Sequence, residues 1–329
     1  MVKGTAIVVT HNSASCVERC LEALIEQSGW EVLLIDNTSQ DDTVARASRY
    51  AQQARIFRSS VNTGFAGGVN QGVKLATGDI LVLVNPDAIV APGTLDKLAD
   101  ALSAPNTGAS GGLLVLEGGK LQIGNIVRRF PTVGSALAEL LLLNNIWYRN
   151  PWNRSYRYLD MDYSRAQSVE NPAGASLAFR RAAWESVKGF DEGFYPVWFE
   201  DVDFCRCLRD AGWDIVYEPG AILDHVGAHS VGQLSFYNHQ LFWYRNLLRY
   251  FKKHHSWLQC CLLRAGIVSG LMLRAMLSLI KPSKDTRWGM FRDYARAAWR
   301  CGIRPAKAEG PSPHVAVCTA IEVVEARLA

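Results

Sequence analysis

The sequence predicts an α/β fold, a mostly parallel sheet with flanking helices followed by a C-terminal helical segment. Three observations carry this expectation. Through residues 1–110, strand-like runs alternate with helix-periodic stretches, the order that builds parallel sheets. Residues 80–84, Ile-Leu-Val-Leu-Val, are unbroken apolar sequence, as a strand buried on both faces requires. From Phe236 onward the composition turns aromatic and basic, with a long apolar run at 258–280.

Residues 5–10 read as the first strand and His11-Asn12-Ser13 as its loop. Val17, Cys20, Leu21, Leu24 and Ile25 then recur at helical spacing. A second buried strand spans 31–35 and ends in Asp36-Asn37. Asp41, Asp42 and Thr43 supply first-turn chemistry for a helix to about Ala54. A short strand at 56–58 leads to a glycine-rich turn from Asn62 to Asn70 and a helix through Ala76. The apolar strand follows and stops at Asn85-Pro86-Asp87. Beyond it, a helix is expected around 137–143, and the aromatic, basic run at 147–158 reads as a surface excursion or, alternatively, a mobile loop over the site. A strand at 177–179 and a short helix near Trp184 come next. A helix then opens at Glu200-Asp201 and ends near Gly212, followed by two short strands at 214–217 and 221–223.

Three strands thus end in polar clusters, Thr10-His11-Asn12, Asp36-Asn37 and Asn85-Pro86-Asp87. Parallel strands set these along one sheet edge, where ligands bind in open α/β sheets. No Gly-x-Gly-x-x-Gly follows the first strand, which disfavours a dinucleotide oxidoreductase. Asp87 beside Asn85 suits a hard divalent cation, and equally a turn or helix cap. The Glu200-Asp201 pair either caps its helix or provides a general base in a partly dry pocket.

These blocks together resemble the family 2 inverting glycosyltransferases, closest to the rhamnosyltransferase-like branch. Thr10-His11-Asn12, Asp36-Asn37-x-Ser39-x-Asp41, Asn62-x-Gly64-Phe65 with Asn70, and Asn85-Pro86-Asp87 match the donor half. Gly189-Phe190-Asp191-Glu192, Glu200-Asp201-x-Asp203 and His225 match the acceptor half. The resemblance covers about residues 3–235 and implies a GT-A fold, a nucleotide-sugar donor and a divalent metal, Mn2+ or Mg2+. It implies a domain at 1–235, with a nucleotide-sugar half at 1–110 and an acceptor half at 111–235. By the same resemblance Thr10, Asn12 and Asp36 take the nucleobase, and Asn62, Gly64, Asn70 and Asn85 lie along the nucleoside and diphosphate. Asp87 and His225 hold the metal, Asn85 replacing the first acid of the family's Asp-x-Asp motif. Asp201 is the base, with Trp198 and Glu200 on the acceptor side. The implied donor is dTDP-rhamnose and the implied acceptor a lipid-linked saccharide or cell-surface glycan. The alternatives are a polyprenyl-phosphate sugar transferase and a non-catalytic sugar-nucleotide-binding protein.

The 329 residues are 49% hydrophobic and 20% charged, an ordinary globular balance; only the last twenty or so residues read as disordered. Eight scattered cysteines fit neither a zinc spacing nor a secreted disulfide framework, and the N-terminus reads as a strand rather than a signal peptide. A cytoplasmic protein, peripheral on the inner face of the plasma membrane, is expected. The net charge is +4, yet Tyr237 to Gly310 holds 14 Lys/Arg against 3 Asp/Glu, leaving −7 for the rest. A basic, aromatic helical segment at 236–305, before a tail at 306–329, points to an anionic membrane surface rather than nucleic acid. Arg264 and Arg274 disfavour a spanning helix at 258–280. The competing reading is a helical subdomain packed on the catalytic core or in a homo-oligomer.

Overall fold

The computed structural model describes residues 2–116, 118–225, 234–280, 284–302 and 318–320. In chain order its elements are β1 (Gly4–Thr10), α1 (Val17–Ile25), β2 (Trp30–Asp36), α2 (Thr43–Ala47), β3 (Arg55–Ser59), α3 (Gly64–Leu75), β4 (Ile80–Val84) and β5 (Ala88–Val90). Then come α4 (Thr94–Asp100), β6 (Thr107–Leu116), β7 (Lys120–Leu121), β8 (Val127–Arg128), α5 (Val133–Leu140), α6 (Leu143–Ile146), α7 (Pro151–Tyr156), β9 (Gln167–Ser168) and β10 (Asn171–Pro172). The remainder are β11 (Ser176–Arg180), α8 (Arg181–Ser186), α9 (Glu200–Asp210), β12 (Asp214–His225), α10 (Phe236–His254), α11 (Trp257–Ser278), α12 (Lys284–Gly302) and β13 (Cys318–Ala320).

The main sheet runs β13-β3-β2-β1-β4-β11-β6-β12-β5. β3, β2, β1 and β4 are mutually parallel, and Thr10 pairs with Asp36 in register. The polar ends of β1, β2 and β4 therefore do share one edge. β11 enters antiparallel between β4 and β6 and makes the sheet mixed. Leu33, Leu34, Leu81, Val82, Leu83, Leu177 and Phe179 form its buried centre, which is why these strands read as continuous apolar runs. The glycine-rich turn also proves to be packing chemistry. A Cβ at Gly68 would lie 2.6 Å from Val9 Cγ1, so glycine lets α3 rest directly on β1.

Several expected elements differ. The helix expected to reach Ala54 stops at Ala47 and gives way to a 3-10 turn at Ser48–Tyr50; Ala54 N then bonds back to Tyr50 O, reversing the chain into β3. The helix expected at 137–143 begins earlier and breaks at Leu142, whose φ is 62°. The two short strands after Gly212 are one strand, β12, with a bulge between Glu218 and Ile222. No helix starts at Asp87, because β5 follows it directly. Of the tail, only Cys318–Ala320 is described, paired antiparallel to β3; the rest of that expectation lies outside the described residues.

A second hydrophobic core joins the C-terminal helices to α5 and to the start of α9. Tyr244, Leu247, Tyr250 and Phe251 of α10 and Leu263, Ile267 and Leu271 of α11 pack with Phe194, Phe199, Val202 and Leu140. Arg274 is tied into this core, its guanidinium donating to the carbonyls of Glu139, Leu140 and Gly270. α11 is long and apolar enough to cross a membrane, yet one face of it is packed on α5 and α12. Trp257, Leu258, Leu262 and Met276 on the same helix are exposed.

Candidate active site

The ends of β1 and β2 form a hydrogen-bonded shelf. Asp36 is fully buried; its Oδ1 accepts from Thr10 Oγ1 at 3.3 Å and its Oδ2 from Ser39 N at 3.1 Å, with Arg58 Nε 3.5 Å away. Asn12 stands at φ 52°, its Oδ1 accepting from Gln40 N at 2.8 Å and its amide donating to Ser39 Oγ at 2.9 Å. Asn62 Oδ1 accepts from Gly64 N at 2.9 Å, closing the turn into α3. Gly64 has φ +73°, and a Cβ there would meet Pro196 O at 2.9 Å. Asn70 is a clamp. Its Nδ2 donates to Phe190 O and Glu192 Oε1, both at 2.9 Å, while its Oδ1 accepts from Phe190 N and Trp184 Nε1.

At the end of β4 the geometry opens. β12 pairs antiparallel with β5, setting His225 opposite Ala88 and hence beside Asp87. His225 Nε2 lies 3.4 Å from Asp87 Oδ1 and 3.4 Å from the Asn85 side-chain amide, and His225 Nδ1 is buried without a hydrogen-bond partner. A carboxylate oxygen, an imidazole nitrogen and an amide that can present its oxygen converge there. This donor set fits a divalent cation of borderline hardness.

The third component is the start of α9. Trp198 and Phe199 both have positive φ, 80° and 72°, a strained approach that turns the chain sharply into the helix. Neither carboxylate that follows occupies the N-cap, which is Phe199. Asp201 Oδ1 accepts from Val202 N at 2.8 Å and Oδ2 from Gly174 N at 3.1 Å. Burial raises the Asp201 pKa despite these bonds. A Cβ at Gly174 would sit 3.2 Å from Asp201 Oδ2, so glycine lets its amide reach the carboxylate. Glu200 is only 4% exposed, and its Oε2 has no partner. Burial, reinforced by the Asp201 charge, holds its carboxyl well above the ordinary range.

Asn85, Asp87, Trp198, Glu200, Asp201 and His225 line one cavity of about 670 Å³, the size of a small-ligand site. The structure brings these six sequence candidates together. Thr10, Asn12, Asp36, Asn62, Gly64 and Asn70 do not line it. Asp36 and Asn70 are buried with their polar atoms bonded inside the protein, and Asn70 joins α3 to the Gly189–Phe190 turn rather than facing the cavity. The cavity also holds residues that sequence reasoning missed: Arg128, Tyr156, Asn171, His239 and Trp243. Asn171, in the stretch leading to Gly174, carried a signal, as did Tyr156 through the reading of 147–158 as a loop over the site; the others lie in irregular or C-terminal sequence. Tyr156 comes from the 147–158 excursion, whose Trp147, Tyr148 and Trp152 are exposed.

A second acidic cluster lies behind the site. Asp203 is buried, bonding Lys253 Nζ at 2.7 Å and His254 Nε2 at 2.7 Å, with Cys207 nearby. Lys253 already neutralises this carboxylate, so the cluster fastens α9 to α10.

The mixed sheet with its cleft at the strand ends is a GT-A fold. Two solved structures share it at TM-scores of 0.54 and 0.56. The mannosyltransferase PcManGT of Pyrobaculum calidifontis, solved with GDP-Man and Mn2+, is 19% identical, over 92% of this chain and 87% of its own. GalNAc-T7, solved with UDP, GalNAc and Mn2+, is 14% identical, over 90% of this chain and 55% of its own. The profile of glycosyl transferase family 2 matches residues 5–186, and the chain belongs to that family as a glycosyltransferase. It is 32% identical over 247 residues to the N-acetylglucosaminyl-diphospho-decaprenol L-rhamnosyltransferase of Mycobacterium tuberculosis (strain ATCC 25618 / H37Rv), covering 69% of this chain and 77% of that protein.

Proposed function

We propose that the protein transfers L-rhamnose from dTDP-rhamnose to a hydroxyl of N-acetylglucosamine carried on a polyprenyl diphosphate, inverting the anomeric centre. One observation carries the chemistry: Asp201 and the Asp87–His225 pair line the same cavity. The mycobacterial relative supports the choice of sugar and acceptor. Asp87 and His225, with Asn85 beside them, would hold a divalent cation, which offsets the charge developing on the diphosphate. Asp201, held by the amides of Val202 and Gly174, removes the proton from the acceptor hydroxyl. That oxygen bonds to the anomeric carbon from the face opposite the diphosphate, and the electron pair of the breaking bond leaves with the diphosphate oxygen. The nucleoside lies over the β1 and β2 ends, where Asp36 braces the shelf formed with Thr10 and Asn12.

The direct test is transfer from dTDP-rhamnose to a short-chain prenyl diphosphate N-acetylglucosamine, with and without Mn2+. Formation of the disaccharide with its rhamnosyl centre inverted supports the reading. Transfer only to a bare polyprenyl phosphate, or only from another nucleotide sugar, replaces it.

Such an acceptor brings the enzyme to a bilayer. The exposed Trp257, Leu258, Leu262 and Met276 of α11, and the excess of basic residues in 236–305, suit an anionic surface. Binding to anionic vesicles should weaken steeply with salt and be poor on neutral ones. Equal partitioning to both in co-sedimentation would remove the electrostatic part of this proposal.

A further inference from the structure

We infer that α10 builds one wall of the acceptor subsite: His239, Trp243 and Trp198 form one aromatic surface on which a pyranose ring of the acceptor rests, while Glu200 and Asn171 bind its hydroxyls. The inference rests on the proposed saccharide acceptor and names the groups that recognise it.

Three aromatic rings meet at this wall. Trp198 stands edge-on to His239 at 4.7 Å between centroids and to Trp243 at 5.5 Å. All three line the cavity, yet His239 and Trp243 come from α10 and Trp198 from the strained approach to α9. A pyranose offers an apolar C–H face and a rim of hydroxyls, and aromatic surface edged by polar groups is its complement. Polar groups accompany the rings on the same cavity. Glu200 Oε2, Asn171 Oδ1 and His239 Nδ1 are buried atoms without a hydrogen-bond partner on residues that line the cavity, and Glu200 and Asn171 are each 4% exposed. Unpaired buried polar atoms are rare in folded proteins; with His225 Nδ1 the residues of this one cavity hold four, and a ligand would supply the missing partners.

α10 also holds the facing wall in place. Asn246 Nδ2 donates to Val197 O at 2.8 Å and Trp198 O at 3.3 Å, supporting the residues at positive φ. Arg249 pairs with Asp191 at 2.7 Å, and Lys253 with Asp203 at 2.7 Å. The helix is therefore fixed against the approach to α9 and against Asp203, as a wall that must present a hydroxyl to the base requires.

The test uses the full chain and the methyl glycoside of N-acetylglucosamine, followed by tryptophan fluorescence. The unmutated protein should show saturable quenching. His239→Ala, Trp243→Leu and Glu200→Gln should each weaken the apparent affinity at least tenfold, and Trp299→Phe, exposed on α12 and away from the cavity lining, should leave it unchanged. Thermal unfolding reports whether each variant is folded; His239→Ala removes no core side chain and carries the test if Trp243→Leu fails to fold. Absence of quenching in the unmutated protein, or equal affinity in the folded variants, overturns the inference. Saccharide binding that the variants lose, without any transfer from dTDP-rhamnose, supports the subsite and removes the proposed donor instead.

Discussion

The two sides of the cleft treat their polar residues differently. On the donor side, at the ends of β1 and β2 and along α3, Asp36, Asn37 and Asn70 have their side-chain oxygens and nitrogens bonded within the protein. On the acceptor side, Glu200, Asn171 and His239 each keep a buried atom without a partner. The first group braces loops that a ligand can rest on, whereas the second leaves hydrogen bonds for a ligand to complete. A motif rich in Asn and Asp therefore does not by itself mark the atoms that touch substrate. The decisive quantity is which of those atoms the fold leaves unpaired.

The largest expected effect lies where the two sides meet. Asp201→Asn keeps a side-chain oxygen for the amide contacts but removes the base. Turnover should fall about 10²–10⁴-fold with nucleotide-sugar binding unchanged. In the unmutated enzyme the acid limb of kcat/KM should lie above the ordinary aspartate range, because burial raises Asp201. Turnover within tenfold of the unmutated enzyme would eliminate Asp201 as the base.

Asp87→Ala should come next, abolishing Mn2+-dependent donor binding measured by calorimetry, since Asn85 offers no second carboxylate. An unchanged Mn2+ requirement would put the cation elsewhere.

Asn70→Ala sharpens the comparison from the donor side. It strips partners from Phe190 N and O, and each buried group left unpaired costs about 1–3 kcal/mol. The melting temperature should drop by several degrees while donor KM stays within about twofold. A tenfold rise in donor KM at unchanged melting temperature would make Asn70 a ligand contact and break the contrast.

The smallest effect is a pH dependence on the acceptor side. The Glu200 carboxyl is raised well above its ordinary 4.5, so the folded chain keeps a proton that the unfolded chain releases above that pH. Stability contributed by this site falls as pH rises from 4.5 and levels off beyond the raised value, at about 1.4 kcal/mol per unit. Glu200→Gln removes this slope. Its melting temperature should match that of the unmutated protein near about pH 4 and exceed it near about pH 8. Parallel curves at both would mean that Glu200 ionises freely in the fold.

Local pattern alone determined β1 to β4, their parallel order and the shared edge of Thr10, Asp36 and Asp87, but gave no strand at β5 or β6. Apolar runs and helical spacing are read over a few residues, and β1 to β4 are neighbours in sequence as well as in the sheet. Where local signals compete, pattern misplaced boundaries, as at the 3-10 turn after Ala47, the break at Leu142 and the bulge that fuses β12. Matching motifs also named six of the residues around the cavity. The resemblance paired Asp87 with His225, and the tertiary structure sets them side by side through the pairing of β12 with β5; only the tertiary structure brought Arg128, Asn171, His239 and Trp243 to the same cavity. Only the tertiary structure decided that Asn70 is a clamp while Glu200 stays open. The physical reason is that hydrogen-bond satisfaction belongs to a whole packed fold: whether a buried oxygen has a partner depends on chain segments far away in sequence, and no local period encodes them.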